Sequence, residues 1–287
     1  MRPEYGEFKL KQKPLVSKSN DIIDASYRLS LNEQRLILMC IAQIKKGQMI
    51  DKNSSFTVRA QGFARAFNLS ETDCYKELQI IAERLYERSA TINNPDPVNP
   101  KLTHTKTRWI SSIDYFPGEG ELVITFASKM IPYISMLEGR FTQYSIDSIS
   151  GMKSTYGVRF YELFKKWNGE NGKTKTVKEI SIQELKAILD IEDKYKIFRD
   201  LRNKVLNPAI RDVNTHSDLS ASYTQHKTGR RITHLIFKFN YKPQHELSLS
   251  EAPTPKRLTK AYVEQHAHPG ESYQQARDRL TRTRQTA

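Results

Sequence analysis

The stretch 181–206, SIQELKAILDIEDKYKIFRDLRNKVL, carries the pattern that decides the fold. It opens with Ser181 and Glu184, whose spacing is that of a capping box and predicts the start of a helix. Apolar residues then recur at i, i+3 and i+4, as on one face of a helix: Leu185, Ile188 and Leu189. Ile191 lies in a turn. A second helix, predicted over 194–205, follows with an apolar face of Phe198, Leu201 and Val205.

The first half of the chain repeats this pattern. Four apolar positions recur at an offset of 122 residues, from Phe63, Ala66, Phe67 and Leu69 to Leu185, Ile188, Leu189 and Ile191. Three more recur at an offset of 120, from Leu78, Ile81 and Leu85 to Phe198, Leu201 and Val205. Chance repetition of one triplet is common, but repetition of seven positions is not. The match therefore indicates a duplicated module whose second turn is two residues shorter.

Similar elements flank both copies. A helix precedes each, one capped by Ser30 and stopped by Gly47, the other running from Ser154 to Trp167. A short strand (56–58 and 176–180) comes before the paired helices, and a β-hairpin follows them, turning at 117–120 and at 228–229. This is the order of a winged helix. The prediction is an α+β fold of tandem winged-helix domains, and the alternative is one mixed α+β domain.

The predicted domains cover residues 15–138 and 139–242. An N-terminal arm (1–14) precedes them. A flexible basic C-terminal tail (243–287), broken by Pro253 and Pro255, follows and is expected to be partly disordered or helical.

The composition favours an anionic partner. The 287 residues carry 46 Lys and Arg against 32 Asp and Glu, a formal net charge of +14, which suits nucleic acid or an anionic membrane surface. A solvated basic protein without such a partner is the alternative. The longest apolar run falls far short of the roughly 20 residues that cross a bilayer, and no signal peptide is apparent. With Cys40 and Cys74 in apolar helical patterns, the expected location is the cytoplasm, away from membranes.

Half of the excess charge lies in the second module. Between residues 196 and 242 ten Lys and Arg face three Asp, so 10 − 3 = +7 of the total +14. Arginine pairs bidentately with guanine and asparagine with adenine, which makes the polar face of the second helix a candidate base reader. Its candidate DNA-binding residues are Lys196, Arg199, Arg202, Asn203 and Lys204. At the hairpin tip, Lys227, Arg230 and Arg231 are placed to meet phosphates.

The equivalent surface of the first module has a mixed charge. Its candidates, Lys76, Gln79 and Arg84, are balanced by Glu77, Glu83 and Glu87, and the hairpin tip GEGE is acidic. The first module is therefore expected to give a helper DNA contact and a surface for dimerisation.

Two short motifs resemble catalytic ones but lack their context. Gly172-Lys173-Thr174 ends like a P-loop, yet Trp167 stands where the first glycine is needed. His266-Ala267-His268 resembles a metal motif of rolling-circle endonucleases, but Pro269-Gly270 follows in a polar tail. We predict no enzymatic activity, no metal site and no cofactor.

Several blocks resemble the RepE-like plasmid replication initiators. They are LVSKSNDIIDASYRLSLNEQRLILMCIAQI (15–44), RFTQYSI (140–146), YGVRFYELFKKW (156–167), FRDLRNKVLNPAIRDVN (198–214) and KTGRRITHLIFKF (227–239). The resemblance implies binding of origin repeats, called iterons, by monomers. It also implies that dimers, joined largely through the first domain, repress or restrain replication. For this chain we predict that the dimer binds an operator inverted repeat and represses its own promoter. A host initiator, helicase and chaperones are implied partners, and the matching DNA-reading helix is 195–205.

Two alternatives of other classes stay open. One is a winged-helix transcriptional regulator without a replication role. The other is a nicking endonuclease of the rolling-circle type.

Overall fold

The computed structural model of the protein describes residues 14–45, 47–93, 101–137, 139–171 and 175–242, together with 274, 275 and 277. Up to Lys242 these residues form one compact unit. Gln274, Gln275 and Arg277 are helical. The rest of the predicted tail, the arm before Pro14 and the His266-Ala267-His268 motif lie outside the described residues. No helix in the described part of the chain combines the length and the apolar character that a bilayer crossing requires.

The elements follow one another in two comparable series. The first half contains β1 (Leu15–Ser19), α1 (Asn20–Asp24), α2 (Leu31–Ile41), β2 (Ser55–Arg59), α3 (Ala60–Ala66), α4 (Cys74–Tyr86), β3 (Ser89–Asn93), β4 (His104–Arg108), β5 (Ile110–Phe116) and β6 (Glu121–Phe126). The second half contains β7 (Phe141–Ser145), α5 (Asp147–Ser150), α6 (Thr155–Asn171), β8 (Lys175–Ser181), α7 (Ile182–Ile188), α8 (Phe198–Leu201), α9 (Asn207–His216), β9 (Leu219–Thr228) and β10 (Arg231–Tyr241). A π-helical turn, Arg202–Leu206, joins α8 to α9.

The two halves have the same sheet topology. One three-stranded antiparallel sheet has the order β2-β6-β5 and the other β8-β10-β9, so in each the strand before the paired helices joins the last strand of the hairpin. Helices α3 and α7 also begin and end at the predicted offset, since 60 + 122 = 182 and 66 + 122 = 188. The predicted α+β fold of two winged helices is confirmed.

The predicted helix starts are formed by capping side chains. Ser30 Oγ accepts a hydrogen bond from the Glu33 N–H at 3.3 Å, and Glu33 Oε2 accepts one from the Ser30 N–H at 2.7 Å, which completes the capping box of α2. Ser181 Oγ accepts from the Glu184 N–H at 3.0 Å and caps α7. Helix α2 nevertheless ends at Ile41 rather than continuing toward Gly47.

The second-half helix predicted over 194–205 begins later than expected, at Phe198. Tyr195 adopts a left-handed backbone with a φ of 50°, and its hydroxyl lies 3.3 Å from that of Tyr156 on α6. Ile197, the N-cap of α8, is extended, with φ −96° and ψ 130°. Neither conformation fits a right-handed helix, so the helix cannot start before Phe198.

The same helix continues past Val205, its predicted end. Residues 198–216 are helical without interruption, and the Asn207 N–H bonds to the Arg202 carbonyl five residues back. Pro208 lacks an N–H, and its ring crowds the carbonyl four residues earlier. The π turn widens the helix there, which lets it pass the proline without breaking. We call the segment 198–216 the recognition helix, after the position it occupies in the order of winged-helix elements.

Two pairings were not predicted from the sequence. Strand β1 pairs with β7, from Leu15 opposite Ser145 to Ser19 opposite Phe141. Strands β3 and β4 form a hairpin between α4 and β5. The first pairing crosses the predicted domain boundary at 138, because it ties the start of the first half to the start of the second.

The halves also meet through a buried ionic group, the junction cluster, formed by Lys18, Tyr27, Tyr144, Arg159 and Glu162. These side chains lie where α1 and α2 pack on α6, and all are nearly or fully buried. Lys18 Nζ donates to Glu162 Oε1 at 2.9 Å, and the Tyr144 hydroxyl donates to the same oxygen at 2.6 Å.

Electrostatics keep the junction cluster ionised. Burial by itself raises the pKa of Glu162, but the nearby Lys18 and Arg159 cations outweigh it, so the pKa lies below its ordinary value. Burial lowers the pKa of Lys18, and the Glu162 carboxylate outweighs that effect, so the pKa is raised. Each charge is therefore retained because its partner is present.

The cysteines take up packing positions. Cys40 is buried in α2 and Cys74 is half-buried at the start of α4, where it packs against the core. Both are free thiols, and burial raises the pKa of the Cys40 thiol far above its ordinary value. Their positions agree with the apolar helical patterns in which the sequence places them.

Candidate nucleic-acid interface

The recognition helix separates an apolar face from a cationic one. Leu201 and Val205 are buried in the core of the second half. The predicted contact residues Arg199, Arg202, Asn203 and Lys204 are all exposed. Because Arg202, Asn203 and Lys204 belong to the π turn, their side chains are displayed by a wider turn than an α-helix provides.

Arg202 lies beside both Asn203 and the hairpin. Its Nε donates to Asn203 Oδ1 at 3.3 Å. Tyr223, on β9, donates its hydroxyl to Asn207 Oδ1 at 2.8 Å. Burial raises the pKa of Tyr223, and the Arg202 charge partly opposes that shift. Arg202, a predicted base-reading residue, thus lies next to the first strand of the wing.

Lys196 does not lie on the recognition helix. It is exposed in the turn before Phe198, between the left-handed Tyr195 and the extended Ile197. The prediction that placed it near the start of the helix is wrong in that respect, because the helix begins two residues later. Its charge still flanks the N-terminal end of the cationic face.

The hairpin of the second half projects three cations. Gly229, with a φ of +63°, makes the turn between β9 and β10, and residues 224–231 are all exposed. Lys227, Arg230 and Arg231 therefore stand in solvent at the tip, as predicted. A wing of this length and charge suits contacts with the DNA backbone.

Helix α4, the first-half counterpart of the recognition helix, has a mixed surface. Lys76 and Arg84 are exposed, whereas Gln79 is half-buried. Ile80, exposed at 45%, interrupts the polar face. Glu83 accepts a hydrogen bond from the Tyr115 hydroxyl. No concentrated positive charge results from this arrangement.

The first-half wing is short and acidic. Its tip is the 3₁₀ turn Pro117–Glu119, followed by Gly120 at a φ of +64°. Glu121 forms an ion pair with Arg59, and Phe116 is 39% exposed beside the tip. An apolar and acidic tip is poorly suited to phosphates and better suited to protein.

Asn207 and Tyr223 lie beside the candidate contact residues, although neither was predicted from the sequence. Asn207 follows Asn203 by four residues, so the two are neighbours along the helix. Asn207 was missed because the helix was predicted to end at Val205. The Asn207-Pro208 pair was the available signal, since proline is common in the first turn of a helix and marks the start of α9.

Comparisons with known proteins agree with this geometry. The family model for the WH1 domain of the initiator replication proteins matches residues 15–165, and the model for their WH2 domain matches residues 181–239. Among solved structures, a crystal structure of the Pi initiator protein in complex with iteron DNA is similar, with a TM-score of 0.69 and 25% identity. It covers 82% of this chain and 100% of that one.

Two curated relatives come from Escherichia coli. A "Replication initiation protein" is 28% identical over 237 residues, which cover 81% of this chain and 72% of the relative. The "PI protein" is 26% identical over 254 residues, which cover 79% of this chain and 83% of the relative.

Proposed function

The chain belongs to the family of initiator replication proteins with WH1 and WH2 domains, and from that premise we propose that it initiates plasmid replication by binding origin iterons in double-stranded DNA. It acts by binding and not by catalysis. Its place of action is the bacterial cytoplasm, at the plasmid and nucleoid.

One observation supports this function above the others. The second half brings a cationic recognition helix and a cationic wing onto a single module, with Arg202 beside the wing strand that carries Tyr223. A helix that reads base edges and a wing that contacts phosphates are the two parts that sequence-specific binding by a winged helix needs. The similar Pi initiator protein was crystallised with iteron DNA.

The two halves contribute unequally to DNA binding. Residues 139–242 are the main DNA reader, through Arg199, Arg202 and Asn203 for bases and the wing cations for backbone. Residues 15–138 give a helper contact through Lys76, Gln79 and Arg84.

A homodimer uses the first half. Its wing and α4 expose Ile80, Phe116 and Tyr86 at 39–45%, and the wing tip is acidic, which disfavours DNA there. The monomer binds directly repeated iterons, while the dimer binds an inverted repeat at its own promoter and represses it. The host initiator, helicase and chaperones are assigned as partners by the family resemblance.

A footprint with mass measurement of the complex on one iteron tests the proposal. Each half can dock in one major-groove segment, and successive segments are about one helical turn apart. One chain is therefore expected to protect about two turns. A shortest tight site that needs two chains, or protection of one turn only, would contradict the two-module monomer.

A plasmid-maintenance assay separates initiation from regulation alone. A plasmid that carries the origin but lacks this gene should replicate only when the protein is supplied in trans. Repression of a promoter without any support of replication would favour the transcriptional regulator. Nicking of supercoiled origin DNA in the presence of a divalent metal would favour the endonuclease.

A further inference from the structure

Three potential metal ligands meet on the solvent-facing side of the second-half sheet. Glu179 comes from β8, His226 from β9 and His234 from β10, so each strand contributes one. Their ligand atoms all lie within 4.8 Å of one another. His226 Nδ1 contacts Glu179 Oε1 directly, and the two imidazole centroids are 5.4 Å apart.

A β-bulge brings the two histidines together. Lys227 pairs with Ile232, but the next residue on β9, His226, pairs with His234, so Thr233 is an extra residue on β10. With regular pairing Thr233 would oppose His226, and His234 would point to the other face of the sheet. The bulge thus turns His234 away from the core face, where Leu235 and Phe237 are buried.

We propose that Glu179, His226 and His234 bind one divalent transition-metal ion, with Zn²⁺ as the preferred ion. Two imidazoles and one carboxylate form a ligand set that zinc uses in proteins, with water in the fourth position. Zinc–ligand bonds of about 2.1 Å in a tetrahedron put the ligand atoms roughly 3.4 Å apart. The three atoms are already within 4.8 Å, and the His226 and Glu179 side chains, about half exposed, are able to close the difference by rotation.

The ion would act on the wing. It links all three strands where the β8–β10 pairing ends and the hairpin tip begins, and it adds two positive charges one residue away from Lys227. The direct contact between His226 and Glu179 would be replaced by one metal bond to each side chain. The bound ion should therefore slow amide hydrogen exchange in β9 and β10 and raise the melting temperature.

Zn²⁺ titration of the chelator-treated full-length protein tests the site without DNA. Competition with a chromophoric chelator gives the affinity and stoichiometry, and the visible absorption of Co²⁺ reports the coordination geometry. The three tail histidines are removed by His245→Ala, His266→Ala and His268→Ala in every protein, because they could bind metal independently. His226→Ala, His234→Ala and Glu179→Gln are compared with His104→Ala, an exposed histidine of the first half.

The expected result is one ion per chain, at least a tenfold loss of affinity in each of the three variants and no change in His104→Ala. Zinc should raise the melting temperature only where the three ligands are intact. Equal affinity for Zn²⁺ in His226→Ala and the parent protein would overturn the proposal. His226 and Glu179 would then be an ordinary hydrogen-bonded pair. Absence of zinc binding in the parent protein, from which the tail histidines have been removed, would overturn it as well. None of these outcomes depends on DNA binding.

Discussion

The two halves of the molecule share one topology, but their wing tips carry opposite charges. Sheets β2-β6-β5 and β8-β10-β9 are built alike, and α3 and α7 correspond residue for residue in length. The first half, however, ends in an acidic tip, and the second ends in a tip with three cations. The buried residues thus determine the winged-helix fold, while the exposed residues can differ between the halves without changing it. The same fold can therefore present a surface suited to protein or one suited to DNA.

The equivalent helices show the same contrast in their backbones. Helix α4 is a regular α-helix of 13 residues whose outer face mixes both charges with Ile80. The recognition helix starts four residues later than the 120-residue offset predicts, because 74 + 120 = 194 and the observed start is Phe198. It also contains a π turn. These departures fall at the residues proposed to read bases, and π turns are frequent at functional sites.

The largest effect is expected at the junction cluster, which both halves share. Glu162→Gln leaves Lys18 and Arg159 buried without their counter-charge, which costs about 3–5 kcal/mol in the free energy of unfolding. Chemical denaturation measures the loss, with the exposed Glu192→Gln as the control. A single cooperative transition that shifts for the whole protein would show that the two halves unfold together and differ only in their surfaces. Two transitions, with only one shifted, would show that the halves differ in their cores as well.

The junction cluster also predicts a pH dependence. The folded pKa of Glu162 lies below its ordinary value, so its contribution to stability is complete above the unfolded pKa of about 4.3 and is lost as the pH falls through the folded value. The stability difference between wild type and Glu162→Gln should therefore shrink below about pH 4.3. Denaturation curves from pH 7 downward check this. A difference that stays constant into strong acid would mean that Glu162 is not ionised in the fold.

The next largest effect is expected at the second wing. Neutralising Lys227, Arg230 and Arg231 together should remove about 2.7 units from the slope of log K against log salt, since each phosphate contact contributes about 0.9. Relative to 1 M salt, that is a loss of a few hundredfold in affinity at about 0.1 M for all DNA sequences alike. Neutralising three exposed first-half lysines, Lys52, Lys101 and Lys129, is the matched control. An unchanged slope in the wing variant would show that these three cations do not contact the DNA backbone.

A smaller and sequence-dependent effect is expected on the recognition helix. Arg199→Ala or Arg202→Ala should each cost about 1–3 kcal/mol on the specific site and relax specificity at one base pair. The lysine variants keep the charge but lose the bidentate geometry, so they should bind random DNA normally and the iteron poorly. Binding curves on both DNAs decide the matter. Equal losses on specific and random DNA would show that these arginines contact phosphate only.

The smallest effect is expected at the first-half counterparts. Lys76→Ala together with Arg84→Ala should reduce affinity by no more than about tenfold, the effect of roughly one phosphate contact, because acidic neighbours offset both cations. The measurement is the same salt titration. A loss of affinity as large as that of the wing variant would show that the first half contributes as much to DNA binding as the second.

Local patterns predicted the repeated part of the fold well. The 122-residue offset located α7 from α3, and the glycine at 229 located the wing turn beside its three cations. These features depend on neighbours within a few residues, such as a cap, an apolar face or a turn. The start of the recognition helix was missed because Tyr195 is held by a contact with Tyr156 on another helix, which no local pattern contains.

The sequence by itself determined the duplicated module, the buried face of each main helix and the concentration of cations in the second half. Only the tertiary structure decided that β1 pairs with β7, that Glu162 lies among Lys18, Arg159 and two tyrosines, and that a bulge aligns His226 with His234 beside Glu179. The physical reason is the range of the interactions. Burial periodicity and capping are satisfied within one element, whereas a strand ladder, a buried ion pair or a three-strand ligand set exists only after distant segments have packed.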